Sequence, residues 1–295
     1  MAQNSLNQQL GIDHGSLTVP NEIMSPNPLF STPKVMGILN VTPDSFSDGG
    51  NFFSMGTALN HARQMIEEGA DIIDIGGEST RPGAQPVSVP EELDRVIPIV
   101  EEIRAEWPVL ISVDTSKAEV MREAIKAGAH MINDVMALRG EGSLATVAAS
   151  AKVQISLMHM QGEPRSMQHN PHYKNVINEI KTFLLERIQV CLEAGIDSSR
   201  LLIDPGFGFG KTVEHNLLIM KNLQVFTKLG YPVLVGLSRK SLIGKILNKP
   251  VTERLYGSLA LAVLAISQGA RVIRTHDVAE TIEVLKMTHA VLATE

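Results

Sequence analysis

EEGADIIDIGGEST, residues 67–80, holds one complete joint of a repeating fold. Glu67 and Glu68 end a segment of helical periodicity, and Gly69 is suited to the left-handed turn that closes a helix. DIIDIG is then a β-branched run of strand length, followed at once by the polar residues Glu78, Ser79 and Thr80. The same helix–glycine–strand joint recurs in KAGAHMIN (126–133) and SQGARVIR (267–274). Working outward from these joints, strands are expected at 35–40, 71–76, 109–114, 130–135, 153–159, 200–205, 232–238 and 271–276. Helices are expected near 56–68, 90–105, 117–127, 143–150, 174–194, 214–228, 252–268 and 278–291, each after its strand. The unit begins at Lys34 and ends near residue 290, close to the roughly 250 residues typical of an eight-stranded barrel. No linker divides it into two doubly wound domains. The expected fold is therefore α/β, a (β/α)8 TIM barrel forming a single domain over residues 34–295. Residues 1–33, rich in Asn, Gln, Ser and Pro, read as a poorly ordered N-terminal extension on the surface, without a catalytic role.

Composition narrows the partners. The 295 residues are 44% hydrophobic and 20% charged, enough for a sizeable core. Lys and Arg number 26 against 32 Asp and Glu, a formal charge of −6, so no bulk basic surface offers itself to nucleic acid or an acidic membrane. Any anion must be held locally. The lone cysteine, Cys191, excludes an internal disulfide framework and a cysteine-based zinc cluster, which fits a reducing compartment. No run of 18 apolar residues occurs, and the first thirty residues lack a basic n-region and an apolar core. The expected location is the cytoplasm.

In a β/α barrel the active site is built at the carboxyl ends of the strands. Here those ends carry Asn40, then Glu78 to Arg81, Asp114, Asn133 with Asp134, His159, Asp204, Ser238 to Lys240, and Arg274 with His276. Single members can be helix caps, but a whole ring of buried amides, carboxylates and cations implies a ligand. Strands 8, 1 and 2 are neighbours, so Arg274, His276, Asn40 and Arg81 are expected to converge on one side, suited to phosphate oxygens. Asp114, Asn133, Asp204 and Lys240 are expected on the other, suited to a flat heterocycle bearing donors and acceptors. The loops VTPDSFSDGGNF and GGESTRPGAQPV are long enough to act as lids, and Asp44 or Asp48 could offer oxygen to magnesium. DPGFGFGKT fails as a P-loop, because Pro205 stands where its first glycine is needed, and its G-x-G-x-G lacks the dinucleotide spacing. His159, His169 and His172 match no helical metal-ligand spacing and read as incidental histidines of a flexible loop.

Taken in order, MGILNVTPDSFSDGG, GGESTRPGA, SVDTSK, INDV, IDPGFGFGK, GLSRKS and RTHDV resemble the dihydropteroate synthase family from Lys34 to the last helix. The resemblance implies a β/α barrel, usually a homodimer, that joins 6-hydroxymethyl-7,8-dihydropterin diphosphate to p-aminobenzoate with Mg2+ and is a sulfonamide target. By the same resemblance, Asn40 is the magnesium-linked residue; Asp48, from the loop reading above, is the second candidate. Thr80, Asp114, Asn133, Asp204 and Lys240 match the pterin site, and Arg274, Thr275 and His276 the diphosphate site. Phe46, Arg81, Pro82, Phe209 and Ser241 match the aminobenzoate site and its lids. The catalytic group implied is Arg274, His276, Lys240 and Asp114. The nearest alternative, the methyltetrahydrofolate corrinoid methyltransferases, shares the acidic heterocycle pocket but has no diphosphate to expel, and the Arg-x-His end of strand 8 speaks against it.

Overall fold

The computed structural model describes residues 27–42, 51–79, 85–163 and 166–294. Its eight strands are β1 (Lys34–Asn40), β2 (Ile72–Gly76), β3 (Leu110–Asp114), β4 (Met131–Asp134), β5 (Gln154–Met158), β6 (Leu201–Asp204), β7 (Leu234–Gly236) and β8 (Val272–Thr275). All pair in parallel in the order β6-β5-β4-β3-β2-β1-β8-β7. A single bridge between Ile203 and Val233, with the Ile203 N–H donating to the Pro232 carbonyl at 3.0 Å, brings the two ends of the sheet together. The helices on the outside are α1 (Asn51–Glu67), α2 (Val89–Glu106), α3 (Ala118–Ala127), α4 (Ser143–Ala148), α5 (Val176–Glu193), α6 (Val213–Lys221), α7 (Gln224–Thr227), α8 (Ser241–Leu247), α9 (Leu255–Ser267) and α10 (Val278–Leu292).

Each expected strand forms, with ends within a residue or two of those expected. Among the helices, α1 starts at Asn51, five residues earlier than expected, and there are further differences after β6 and β7. The segment expected as one helix over 214–228 breaks after Lys221, where the Asn222 side chain donates to the Leu218 carbonyl at 2.8 Å and competes with the helix backbone. An additional short helix, α8, follows β7, and the expected segment 252–268 opens as a separate 3-10 turn over Val251–Glu253.

Alternation along the strands sorts the side chains into two interiors. Ile73, Ile75, Ile111, Val113, Ile155 and Leu157 face outward and join the helices in the main core. Met36, Ile72, Met131, Leu202, Leu234 and Val272 face inward and form a separate apolar layer inside the barrel. Phe30, 2% exposed, closes that layer from below. It is carried there by a 3-10 turn over Pro28–Phe30, capped by Asn27, whose amide donates to Gln154 Oε1 and the Ser199 carbonyl, both at 2.6 Å. The end of the N-terminal extension is thus part of the barrel floor rather than a surface segment, because an open barrel end would leave the inward apolar layer in water. Residues 1–26 lie outside the described residues.

Above this floor the inward positions turn polar: Asp74, Ser112, Asp114, Asn133, Ser156, Asp204 and Arg274. Cys191 lies on α5, fully buried in the outer core, and burial pushes its thiol up to about 11. Among the described residues no helix is long and apolar enough to cross a membrane.

Candidate active site

The polar storey of the barrel opens into a narrow pocket lined by Asp114, Asn133, Asp204, Lys240 and Arg274 with Val135, Met158, Phe207, Phe209 and Gly236. Arg274 stands at its centre. Its Nε donates to Asp74 Oδ2 at 2.6 Å and its Nη2 to Asp114 Oδ2 at 3.0 Å, so one guanidinium bridges carboxylates from two strands. The Asn133 amide donates to the same Asp74 oxygen at 3.3 Å. Asp204 Oδ1 accepts from the Gly206 N–H at 2.6 Å, and Lys240 Nζ lies 4.3 Å from the centre of the Phe209 ring, within cation–π range.

Burial sets the electrostatics of the pocket. It raises the Asp114 carboxyl to about 7, against the attraction of Arg274 and aided by Asp74. Burial likewise raises Asp204 to about 6, against its bond from Gly206 and the nearby Lys240 and Lys211. Lys240 is pulled down to about 8 by burial and the positive Arg274. Carboxylates held near neutrality at the end of a cleft are the signature of a ligand site.

The loop after β6 shows how GFGFGK departs from a P-loop. Lys211 is 3% exposed, and its ammonium donates to the carbonyls of Gly206, Phe209 and His159 at 2.8, 3.0 and 3.3 Å. The lysine therefore gathers the loop's own carbonyls inward, whereas a phosphate cradle aims its amides at the ligand. Gly206, at φ +70°, permits the turn: a side chain there would run into the His159 carbonyl. His159 is buried at 6% exposure, its Nδ1 3.0 Å from Lys211 Nζ and its ring edge-on to Phe183. It belongs to this core rather than to a flexible histidine loop, because it directly follows β5, its N–H still donating to the Asp204 carbonyl at 2.9 Å.

Two strand ends flank the pocket. The Ser238 hydroxyl oxygen accepts the His276 N–H at 3.1 Å and lies 3.0 Å from His276 Nδ1. The serine thereby fixes the orientation of the imidazole ring. Thr275 faces the other way: its hydroxyl accepts from the Asp277 N–H and meets Thr281 of α10, both at 3.1 Å, leaving its main chain as the part able to meet a ligand. Arg239, in left-handed backbone at φ 55°, is tied to Asp277 by an ion pair and fixes the β7 loop to the β8 loop beside Lys240. Asp134, fully buried, accepts from Ser116 and from the N–H groups of Met136 and Leu138, and so shapes the β4 loop instead of joining the pocket. Ser241 is the exposed first residue of α8. Asn40 closes β1, and its Oδ1 and the Asp114 side chain both lie within about 4 Å of where a side chain on Gly76 would begin. Phe46, Asp44, Asp48, Thr80, Arg81 and Pro82 lie outside the described residues.

The structure therefore brings Asp114, Asn133, Asp204 and Lys240 together as expected, and corrects one placement. Arg274 was expected beside His276 on the phosphate side, but its long side chain turns into the barrel and joins the carboxylates. Asp74 is the polar neighbour the sequence reading passed over. Its signal was a lone carboxylate inside IIDIG, where a buried charge demands a partner.

An eight-stranded parallel barrel whose inner strand ends hold two near-neutral carboxylates, an amide and two cations around one slot is an enzyme barrel for a polar, planar ligand. Residues 36–276 match the family model for pterin binding enzymes. The chain is 54% identical over 260 residues to dihydropteroate synthase of Haemophilus influenzae, covering 88% of this chain and 94% of that relative. The structure of Yersinia pestis dihydropteroate synthase with a sulfonamide drug complex is similar at a TM-score of 0.86 and 50% identity, over 90% of this chain and 96% of that one. That of Xanthomonas albilineans dihydropteroate synthase in complex with 7,8-dihydropteroate gives 0.82 and 48%, over the same shares. The chain belongs to the dihydropteroate synthase family of pterin binding enzymes.

Proposed function

We propose that the chain catalyses the dihydropteroate synthase reaction: 6-hydroxymethyl-7,8-dihydropterin diphosphate and p-aminobenzoate give 7,8-dihydropteroate and diphosphate. The observation that carries this reading is the convergence of Asp114, Asn133, Asp204, Lys240 and Arg274 on one pocket. The carboxylates of Asp114 and Asp204 accept the amino and ring N–H groups of the pterin, and Asn133 adds an amide. Thr80 belongs to this group by resemblance. As the C–O bond to diphosphate breaks, positive charge spreads into the dihydropterin, where Asp114 and Asp204 face it. Negative charge builds on the leaving group, for which Arg274, whose Nη1 is taken by neither carboxylate, the main chain at Thr275 and the imidazole of His276 are the donors. Lys240 orients the pterin beside Asp204. The arylamine attacks the carbon with its own lone pair and afterwards loses a proton, so no nucleophilic side chain is required. Phe209, Ser241, Phe46, Arg81 and Pro82 make up the aminobenzoate side in this proposal.

Magnesium fits the same mouth. Asn40 places a hard amide oxygen beside Gly76, close to Asp114, and Mg2+ takes one or two protein oxygens together with waters and phosphate. Asn40, with Asp48 as second ligand, would hold it. When bound, it would neutralise charge on the diphosphate. We place the reaction in the cytoplasm, on the single unpaired cysteine, and assign the active form as a homodimer through the exposed apolar residues of α9 and α10.

The test is diphosphate release from the purified protein with the pterin diphosphate and magnesium, with and without p-aminobenzoate, repeated on Asp204→Asn. Release by the wild type with formation of dihydropteroate, and a loss of about 100-fold or more in the variant, is the expected result. Pterin binding without release would make the barrel a binding protein instead.

A further inference from the structure

We propose that Asp74 is a positioning residue: it aims the Arg274 guanidinium from beneath the pocket and, through it, keeps the Asp114 carboxylate presented to the pterin. This rests on the reaction assigned above and adds to it a residue that does not itself line the pocket.

Asp74 is fully buried in the middle of β2, facing inward between the outward Ile73 and Ile75. A carboxylate there is costly to bury, and the layer just below is filled by Ile72 and its apolar neighbours. Its position is therefore explained by what it holds. Arg274 comes from β8 and reaches past β1 to the carboxylates of β2 and β3, which are adjacent strands with Gly76 paired to Asp114. Each carboxylate takes a different N–H edge of the planar fork, Nε for Asp74 and Nη2 for Asp114, so the plane of the guanidinium is fixed by two points. With Asp74 removed, only the Asp114 contact would remain and the fork could swing about it.

The charges agree. Three carboxylates, Asp74, Asp114 and Asp204, stand against the cations Arg274, Lys240 and Lys211, and the carboxylates suit a ligand that brings N–H donors and develops positive charge. Asp74 Oδ1 has no partner among the described side chains, so its charge is not exhausted by Arg274 and is felt by Asp114. Facing Asp114 are Arg274 from β8, Lys240 from the β7 loop, Asp74 from β2, Asp134 from β4 and Glu92 from α2. Asp74 itself faces Arg274 and Asn133.

The test reads affinity for 6-hydroxymethyl-7,8-dihydropterin, without diphosphate, against pH in the wild type, Asp74→Asn and Asp114→Asn. In the wild type, affinity is expected to fall as pH drops through about 7, where Asp114 gains its proton. Asp74→Asn removes a negative neighbour and should move that midpoint down by about one pH unit, while Asp114→Asn should abolish it. In turnover, Asp74→Asn should lower kcat/KM by about 10- to 100-fold, and adding it to Arg274→Lys should cost no more than Arg274→Lys alone, as for residues acting in series. An unmoved midpoint, or losses that multiply independently in the double variant, would overturn the proposal even if stability fell. Should Asp74→Asn fail to fold, Asp74→Ser takes its place in both comparisons. Wild-type protein that binds the pterin without turnover would sink the assigned reaction and leave the pH comparison decisive for Asp74. Wild-type protein that binds no pterin would overturn both.

Discussion

Asp204 shows what a pocket for a pterin demands of a single side chain. Its carboxyl is held at about 6, above the roughly 3.9 of a free aspartate, so between those values the folded chain binds more protons than the unfolded one. Stability from this group is therefore greatest below about pH 4 and is lost as pH rises through 6. We expect Asp204→Asn, which keeps an acceptor for the Gly206 N–H, to raise Tm at pH 8, with a gain in unfolding free energy of at most about 3 kcal/mol, and the gain to shrink toward pH 5. A thermal melt series across that range decides it, and a variant less stable than the wild type at pH 8 would contradict it. The same tension between burial and charge hid Asp74 from the sequence reading. Asp114, Asn133 and Asp204 announced themselves by standing at strand ends, whereas Asp74 sits mid-strand among isoleucines, where spacing carries no signal and only the need for a partner does. Arg274 was visible, but strand order does not say which way a side chain of that length will lean.

The strands and helices were legible because each one carries its own periodicity and its own stop. The eight apolar runs and the helix-ending glycines recur at intervals that only a β/α repeat satisfies. What could not be read was where a helix yields to a local competitor, as at Asn222, or where seven residues of chain make a turn of helix such as α8. The turn at Pro28–Phe30 belongs here too, since nothing in PNPLF states that its phenylalanine will meet Met36 and Leu202 inside the barrel. Its function as a floor gives a separable effect. Phe30→Ala should cost about 3–5 kcal/mol, a fall of about 10 °C in Tm, with pterin affinity unchanged, because an apolar layer separates Phe30 from the pocket. Calorimetry alongside a pterin titration of the variant checks both halves, and an affinity loss as large as the stability loss would mean the floor and the pocket are coupled.

At the scale of the molecule, exposed apolar residues among the described ones occur on α6 and α8 and gather again where α9 and α10 run side by side. Leu264, Met287, Val291 and Leu292 are each about half exposed or more there, and Met287 and Val291 stand one helical turn apart on the same face. Pairing two copies through this face would bury it. Light scattering on the wild type should give twice the chain mass, and Met287→Glu with Val291→Glu should give the monomer mass with its fold intact. A wild type that runs as a monomer at micromolar concentration would remove the dimer from the proposal. The thiol of Cys191, sealed in the outer core and resistant to ionisation, has a practical bearing on all of these experiments. Being the chain's single cysteine, it leaves the exterior blank to thiol chemistry, so one new cysteine at a chosen surface position would take a fluorophore or spin label selectively without the native residue first being replaced.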